Sequence, residues 1–247
     1  MDRYKIIIQY DGSSFSGWQL QKNRTTVQGE IENALKIIAG SKHRIAVNGA
    51  GRTDSGVHAY GQVAHFDFRT KLRPSDLCNA INYNTSENCR IMSIKKVRND
   101  FESRFDAKKR KYRYQVYLGN SILFRNQAWL IKDIDMNILV ELSSAIIGEH
   151  DFLSFSKYRS QQKNTNSIIY ESVWKKKGKM LVYEISGNRF LHHMVRYLVG
   201  TMVMASRGLY SKDKFSSLLH EPMKNVQIHR APANGLILLK VEYDNYK

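Results

Sequence analysis

Residues 49–62, GAGRTDSGVHAYGQ, put four glycines, an arginine, an aspartate and a histidine between two strand-like stretches, and a strand rather than a helix follows them. That order constrains the fold more than any other feature of the chain. A dinucleotide-binding turn leads from strand into helix, and a P-loop needs Gly-Lys-Ser/Thr after its glycines, where this loop has Arg-Thr-Asp. Neither nucleotide fold fits. Glycine serves where the backbone takes a positive φ or another molecule comes close, and Arg52 and Asp54 in such a loop are available for chemistry.

The flanking segments extend the pattern. Residues 4–10 are rich in β-formers and stop at Asp11-Gly12, a turn dipeptide. Val27, Ile31, Ala34, Leu35 and Ile38 recur at helical spacing up to Gly40, with Thr25 and Gln28 placed as a capping box. Residues 44–48 and 62–68 read as strands, 74–81 as a helix opened by proline, and 89–98 and 110–118 as further strands. Asp135 is placed to cap a helix to Gly148, a polar stretch at 156–167 is expected to be flexible, and strands at 168–176 and 180–186 lead to a long apolar helix from Phe190. A short helix at 212–220 and a strand at 235–243 close the chain. This interspersion predicts an α+β fold with mixed, mainly antiparallel sheets and helices packed on one face. The expected division is two similar halves flanking a central catalytic cleft, 1–118 with the glycine loop and 119–247 with the apolar helix.

Charge narrows the partners. Lysines and arginines number 39 against 22 acidic residues, a net +17 that favours polyanions. A membrane is not expected, because no long uncharged apolar run exists and the stretch 190–205 carries Arg196 and two histidines. Cys78 and Cys89 form no CxxC pair and have no metal-ligand spacing, and the N-terminal residues run into a strand without the apolar core of a signal peptide. Both features point to the cytoplasm.

Taken alone, the loop leaves alternatives open. GAGRTDSG reads equally as a tight turn in which Asp54 holds backbone amides. Asp54, Ser55 and His58 lack the G-x-S-x-G elbow of a serine hydrolase, and Asp54, His58, His65 and Asp67 carry no recognisable metal-ligand signature. The basic run Lys108–Arg113 reads either as a solvated face or, interleaved with Tyr112, Tyr114 and Tyr117, as an RNA contact. Alternation puts Tyr112 and Tyr114 on one face, where Tyr114 serves equally well as core. Lys175–Lys179 reads as a solvated hairpin turn, and His192 and His193, as neighbours on a helix, would point in different directions.

The wider pattern adds to this. GAGRTDSGVHAYGQVAHFD, preceded by YDGSSFSGWQLQ and followed by FDAKKRKYRYQVY and NRFLHHMVRYLVG, resembles the TruA family of tRNA pseudouridine synthases, with the motifs in the family's order from Tyr4 to about Tyr243. The resemblance implies that Asp54 is the catalytic nucleophile and that Arg52 helps to hold the target nucleotide out of its stack. It further implies that Tyr112 packs on the target base and that Arg196 pairs with the Asp54 carboxylate. It implies a tRNA partner, uridines at positions 38, 39 and 40 of the anticodon stem-loop, a homodimer, and no metal or organic cofactor. Three departures bear on which uridine is chosen. Ser55 stands where alanine is usual, residues 82–92 lack a leucine-proline pair, and Asn166-Ser167-Ile168 replaces an arginine-threonine-isoleucine pattern. The rival expectations are a noncatalytic tRNA-binding protein or chaperone and a metal-dependent nuclease.

Overall fold

The computed structural model describes residues 1–157 and 164–244, so residues 158–163, half of the polar stretch that was expected to be flexible, lie outside the described residues. In chain order the elements are β1 (Asp2–Tyr10), α1 (Val27–Ile38), β2 (Asn48–Gly49), β3 (His58–Phe68), α2 (Pro74–Tyr83), β4 (Cys89–Val97), β5 (Ala107–Leu118), β6 (Trp129–Ile131), α3 (Met136–Ala145), β7 (Gly148–Asp151), β8 (Asn166–Lys177), β9 (Met180–Gly187), α4 (Met194–Ser206), α5 (Lys212–His220) and β10 (Leu236–Tyr243). The class is α+β with mainly antiparallel pairing. No helix among the described residues is long and apolar enough to cross a membrane. The chain forms two compact units, Met1–Lys108 with Ile237–Lys247, and Lys109–Leu236. The expected halves divide the chain differently, because β10 returns to pair in parallel with β3 through Ile237 and Leu238.

In the first unit the strand order is β4-β1-β3-β10, with β1 antiparallel to both β3 and β4. Tyr4, Ile6, Ile8 and Tyr10 alternate inward along β1 and are at most 4% exposed, and Val27, Ile31, Ala34 and Leu35 of α1 are fully buried. Burying each isoleucine or leucine side chain contributes about 1.5–3 kcal/mol. The helix cap sits one residue later than expected. Thr26, not Thr25, accepts from Gly29 N at 3.2 Å. Gln28 closes no capping box: its Oε1 accepts from Leu20 N at 2.8 Å and its Nε2 donates to Val47 O at 3.1 Å. Buried Glu32 takes Val47 N at 3.0 Å and the Arg44 guanidinium at 2.7 Å. Both polar groups of Val47 are thus held by side chains, which is why the strand expected at 44–48 is reduced to Asn48–Gly49.

In the second unit β5, β9, β8 and β7 lie side by side and antiparallel, with β6 added in parallel to β5. Asp135 caps α3 as expected, yet the helix stops at Ala145, and Gly148 at φ 107° opens β7 instead. The apolar helix begins at Met194 rather than Phe190, because His193 takes a left-handed φ of 63°. Met194, Leu198, Val199, Met202 and Val203 are fully buried. The lysine hairpin turns at Gly178, φ 58°.

On the face of this sheet away from Tyr114 and Tyr183, Glu184 is 8% exposed and meets Arg113 at 2.7 Å and Lys111 at 3.1 Å, while Lys111 also reaches Glu171 at 3.0 Å. Burial acts to raise the Glu184 carboxyl, but the hydrogen bonds and charges of Arg113 and Lys111 outweigh it and hold the group at about 2. A depressed carboxyl stabilises the fold above its unfolded value and loses that contribution as pH falls through the folded one. The melting temperature of the protein is therefore expected to fall between pH 4.5 and 2, with up to about 3 kcal/mol lost from this group. Glu184→Gln should be less stable at pH 7 and should lose less than the parent protein over that window in thermal melts. An identical slope in both proteins would contradict this.

Candidate active site

Asp54 is half-buried on a loop whose backbone is fixed at nearly every step. Ala50 N donates to Val63 O at 2.7 Å, Gln62 Nε2 donates to Gly51 O at 2.9 Å, and Val57 N donates to Asp54 O at 3.2 Å across the turn that Gly56 makes at φ 80°. The segment Tyr10–Trp18 closes over the other side. Trp18 N donates to Thr53 O at 3.0 Å, Ser55 Oγ donates to Phe15 O at 3.2 Å, and the Tyr10 and Thr53 hydroxyls share a bond of 2.8 Å. Gly17, at φ 96°, lies so close that a Cβ would sit 2.8 Å from Thr53 O and 3.1 Å from Ser55 N. His58, 8% exposed, ties the same two segments: Gly12 N donates to its Nδ1 at 3.1 Å, and Asp11 Oδ1 lies equally near.

Arg52 is exposed, and no carboxylate among the described residues holds its guanidinium. It differs in this from Arg3, Arg44 and Arg113, each engaged by an acid within 2.8 Å. The other residues of the metal reading are occupied elsewhere. Asp67 accepts from Arg3 at 2.8 Å, and buried His65 shares its Nδ1 with the Ser103 hydroxyl at 2.9 Å.

In the second unit, Tyr112 is 9% exposed on β5 and meets the Phe190 ring edge-to-face, with centroids 5.2 Å apart. Tyr114 is core: fully buried, it donates its hydroxyl to Pro232 O at 2.8 Å. Burial pushes its phenol far above the usual range, and the Arg196 guanidinium offsets part of that shift. Arg196 is 9% exposed on the first turn of α4, and Ala231 clasps it twice, accepting from Arg196 Nε and donating to its carbonyl, both at 2.9 Å. Segment 231–232 therefore joins α4 to β5. His192 and His193 precede the helix, so their rings do not diverge as helical neighbours would; they stack with centroids 3.8 Å apart, and His193 Nε2 lies 3.3 Å from Arg230. Within the basic run, Lys111 and Arg113 are bound to Glu184, so the run is not a uniformly free cationic surface.

Sequence reasoning read Asp11-Gly12 only as a turn and gave no role to Gly17 or Trp18. The signal was the pair of glycines flanking an aromatic in DGSSFSGW, which marks backbone packed against backbone.

A family profile described as tRNA pseudouridine synthase matches residues 6–106 and 142–244. The chain is 35% identical over 247 residues to "tRNA pseudouridine synthase A" of Anoxybacillus flavithermus, covering 99% of this chain and 100% of that protein. To the proteins of the same name from Neorickettsia sennetsu and Borrelia turicatae it is 37% and 38% identical, over 98% and 96% of this chain and 100% and 97% of theirs. The chain belongs to the tRNA pseudouridine synthase family. Among solved structures, a chain of the "Crystal Structure of a Cbf5-Nop10-Gar1 Complex" overlays with a TM-score of 0.39 at 8% identity, covering 95% of this chain and 57% of that one, a likeness too slight to carry weight.

The clasp around Asp54 predicts an asymmetry between two loop glycines. Gly17→Ala forces both a positive φ and a backbone clash, and should destabilise the protein by about 2–3 kcal/mol. At Gly51 a Cβ would meet nothing within 4 Å, so Gly51→Ala should stay within about 0.5 kcal/mol of the parent. Urea unfolding measures both, and equal effects would contradict the clasp.

Proposed function

We propose that the protein isomerises uridine to pseudouridine in the anticodon stem-loop of tRNA, at positions 38, 39 and 40, with Asp54 as the nucleophile. The observation that carries the reading is the family match across both units, with Arg-Thr-Asp standing on a loop immobilised on both sides. The reaction breaks the N1–C1′ glycosidic bond and forms a C5–C1′ bond to the same sugar; C5 gives up a proton and N1 gains one. It is redox-neutral and calls for no metal or organic cofactor. The target base must leave its stack and be held while it turns over.

In this reading Asp54 supplies the carboxylate, which attacks only when ionised, and Arg196 supplies the cation that keeps it so. The exposed Arg52 braces the flipped nucleotide, and Tyr112, steadied by Phe190, offers a ring to the base. The net charge of +17 supports a tRNA partner. A homodimer and a cytoplasmic location belong to the same reading.

Asp54→Asn is nearly isosteric and keeps the turn-forming capacity of aspartate, but it cannot act as a nucleophile. The variant should melt like the parent, bind unmodified tRNA transcript and form no detectable pseudouridine. Substantial turnover would reduce Asp54 to a turn residue. At Tyr112 the two substitutions separate ring from hydroxyl: Tyr112→Ala should be impaired much more than Tyr112→Phe, a stacked ring being worth roughly 1–3 kcal/mol. Equal impairment in product assays would transfer the role to the hydroxyl.

A further inference from the structure

Between β4 and β5 the chain makes a short connection, Arg98–Asp106, whose backbone is anchored at Phe101–Ser103 and again at Asp106, on either side of Arg104 and Phe105. Arg3 donates to Phe101 O at 3.0 Å, and Phe101 is 4% exposed. Ser103, fully buried, donates its hydroxyl to Asn48 O at 2.6 Å and its amide to His65 Nδ1 at 3.2 Å, and its carbonyl accepts from the Tyr243 hydroxyl at 2.6 Å. Asp106 N donates to Glu102 O at 2.9 Å, while the Asp106 carboxylate takes Glu102 N and Arg98, both at 3.1 Å. Out of this rigid frame projects Phe105, 76% exposed, with the Arg104 guanidinium 5.4 Å from its ring centroid.

A large apolar ring held in water on an immobile support has lost little freedom that binding would otherwise remove. The guanidinium over it adds a cation–π contact, worth about 0.5–1 kcal/mol at exposed sites, that fixes the ring's attitude. Its surroundings do not suit a protein partner. Charged Arg104 and Asp106 flank it in sequence, Lys108 beyond is held by Asp244 at 3.2 Å, and one exposed ring falls far short of the roughly 800 Å² per partner that a stable interface buries. An aromatic face with a guanidinium beside it, on a chain of net charge +17, fits an unpaired nucleobase, whose π-face stacks on the ring.

We propose that Phe105, with Arg104, is a stacking platform for an unpaired base of the tRNA, separate from the position where isomerisation occurs. The separation follows from β3. Ser103 is anchored at the level of His65, whereas the Asp54 loop enters the strand at His58, seven residues away or roughly 23 Å along the strand. The platform holds the substrate at a distance from the reacting uridine and acts on affinity. This inference rests on the tRNA reading above.

The test is the affinity of the full-length protein for an unmodified tRNA transcript, measured over a range of salt with Phe105→Ala, Phe105→Leu, Phe105→Trp and, as a control, Tyr83→Ala. Tyr83 is 89% exposed, but no cation lies over its ring among the described residues. Phe105→Ala and Phe105→Leu should weaken binding roughly 10-fold, since leucine keeps the bulk but has no π-face, and Phe105→Trp should stay within about twofold of the parent. The slope of log affinity against log salt should not change, because no phosphate contact is removed. Tyr83→Ala should bind like the parent. Unchanged affinity for Phe105→Ala, parent-like binding by Phe105→Leu, or an equal loss at Tyr83 would overturn the platform. So would a lower melting temperature or an altered sedimentation mass for Phe105→Ala without RNA, which would make the ring a packing or protein contact. Product formation by the parent on the same transcript separates the two readings: no pseudouridine at all sinks the proposed function, whereas normal product with an indifferent Phe105 sinks only the platform.

Discussion

The close approach of two backbones, Tyr10–Trp18 against Thr53–Val57, is the constraint on which the candidate site depends. Gly17 permits it because no side chain fits between its α-carbon and the Thr53 carbonyl. Once the backbones touch, the hydrogen bond from Trp18 N to Thr53 O and the shared bond between Tyr10 and Thr53 become available, and Asp54 is left with little freedom to move. In its proposed role as nucleophile Asp54 would gain from such restraint, since orientation fixed during folding need not be acquired during the reaction. His58 closes the same clasp from β3 by accepting from Gly12 N.

The chain's charge is divided between two uses. Some cations are structural: Arg44 serves the buried Glu32, Arg3 bridges Asp67 and Glu102, and Lys111 and Arg113 neutralise Glu184. Carboxylates hold these groups in the folded protein, so the formal charge overstates what faces an RNA. Arg52 stands apart, exposed beside the proposed nucleophile and bound to no acid among the described residues. Local pairing, more than the total, determines where a polyanion is met.

The major elements could be read from periodicity because their apolar faces decide them. The inward residues of β1 alternate cleanly, and α1 and α4 carry broad stripes. The misreadings have specific physical causes. The strand expected at 44–48 was displaced by side chains of α1 competing for the Val47 amide and carbonyl, and such a contact across the chain leaves no local pattern. The start of α4 was missed by four residues because His193 adopts a left-handed conformation that nothing in its sequence neighbourhood requires. β6 and β7, at three and four residues, are too short for any period to register. At the site, the motif pointed to Asp54, Arg52, Tyr112 and Arg196, and the alternation on β5 correctly left Tyr114 open to a core role. The supporting clasp stayed hidden, because it consists of backbone meeting backbone.

The central claim is that this basic α+β chain converts particular uridines of tRNA into pseudouridine. The most direct measurement is a time course of the purified protein with unmodified tRNA transcripts, without added metal or cofactor, mapped for pseudouridine at each position. The account predicts that pseudouridine accumulates at positions 38, 39 and 40 of full-length tRNA and nowhere else in the molecule. Intact tRNA without pseudouridine, modification confined to another region, or shortened RNA would contradict it.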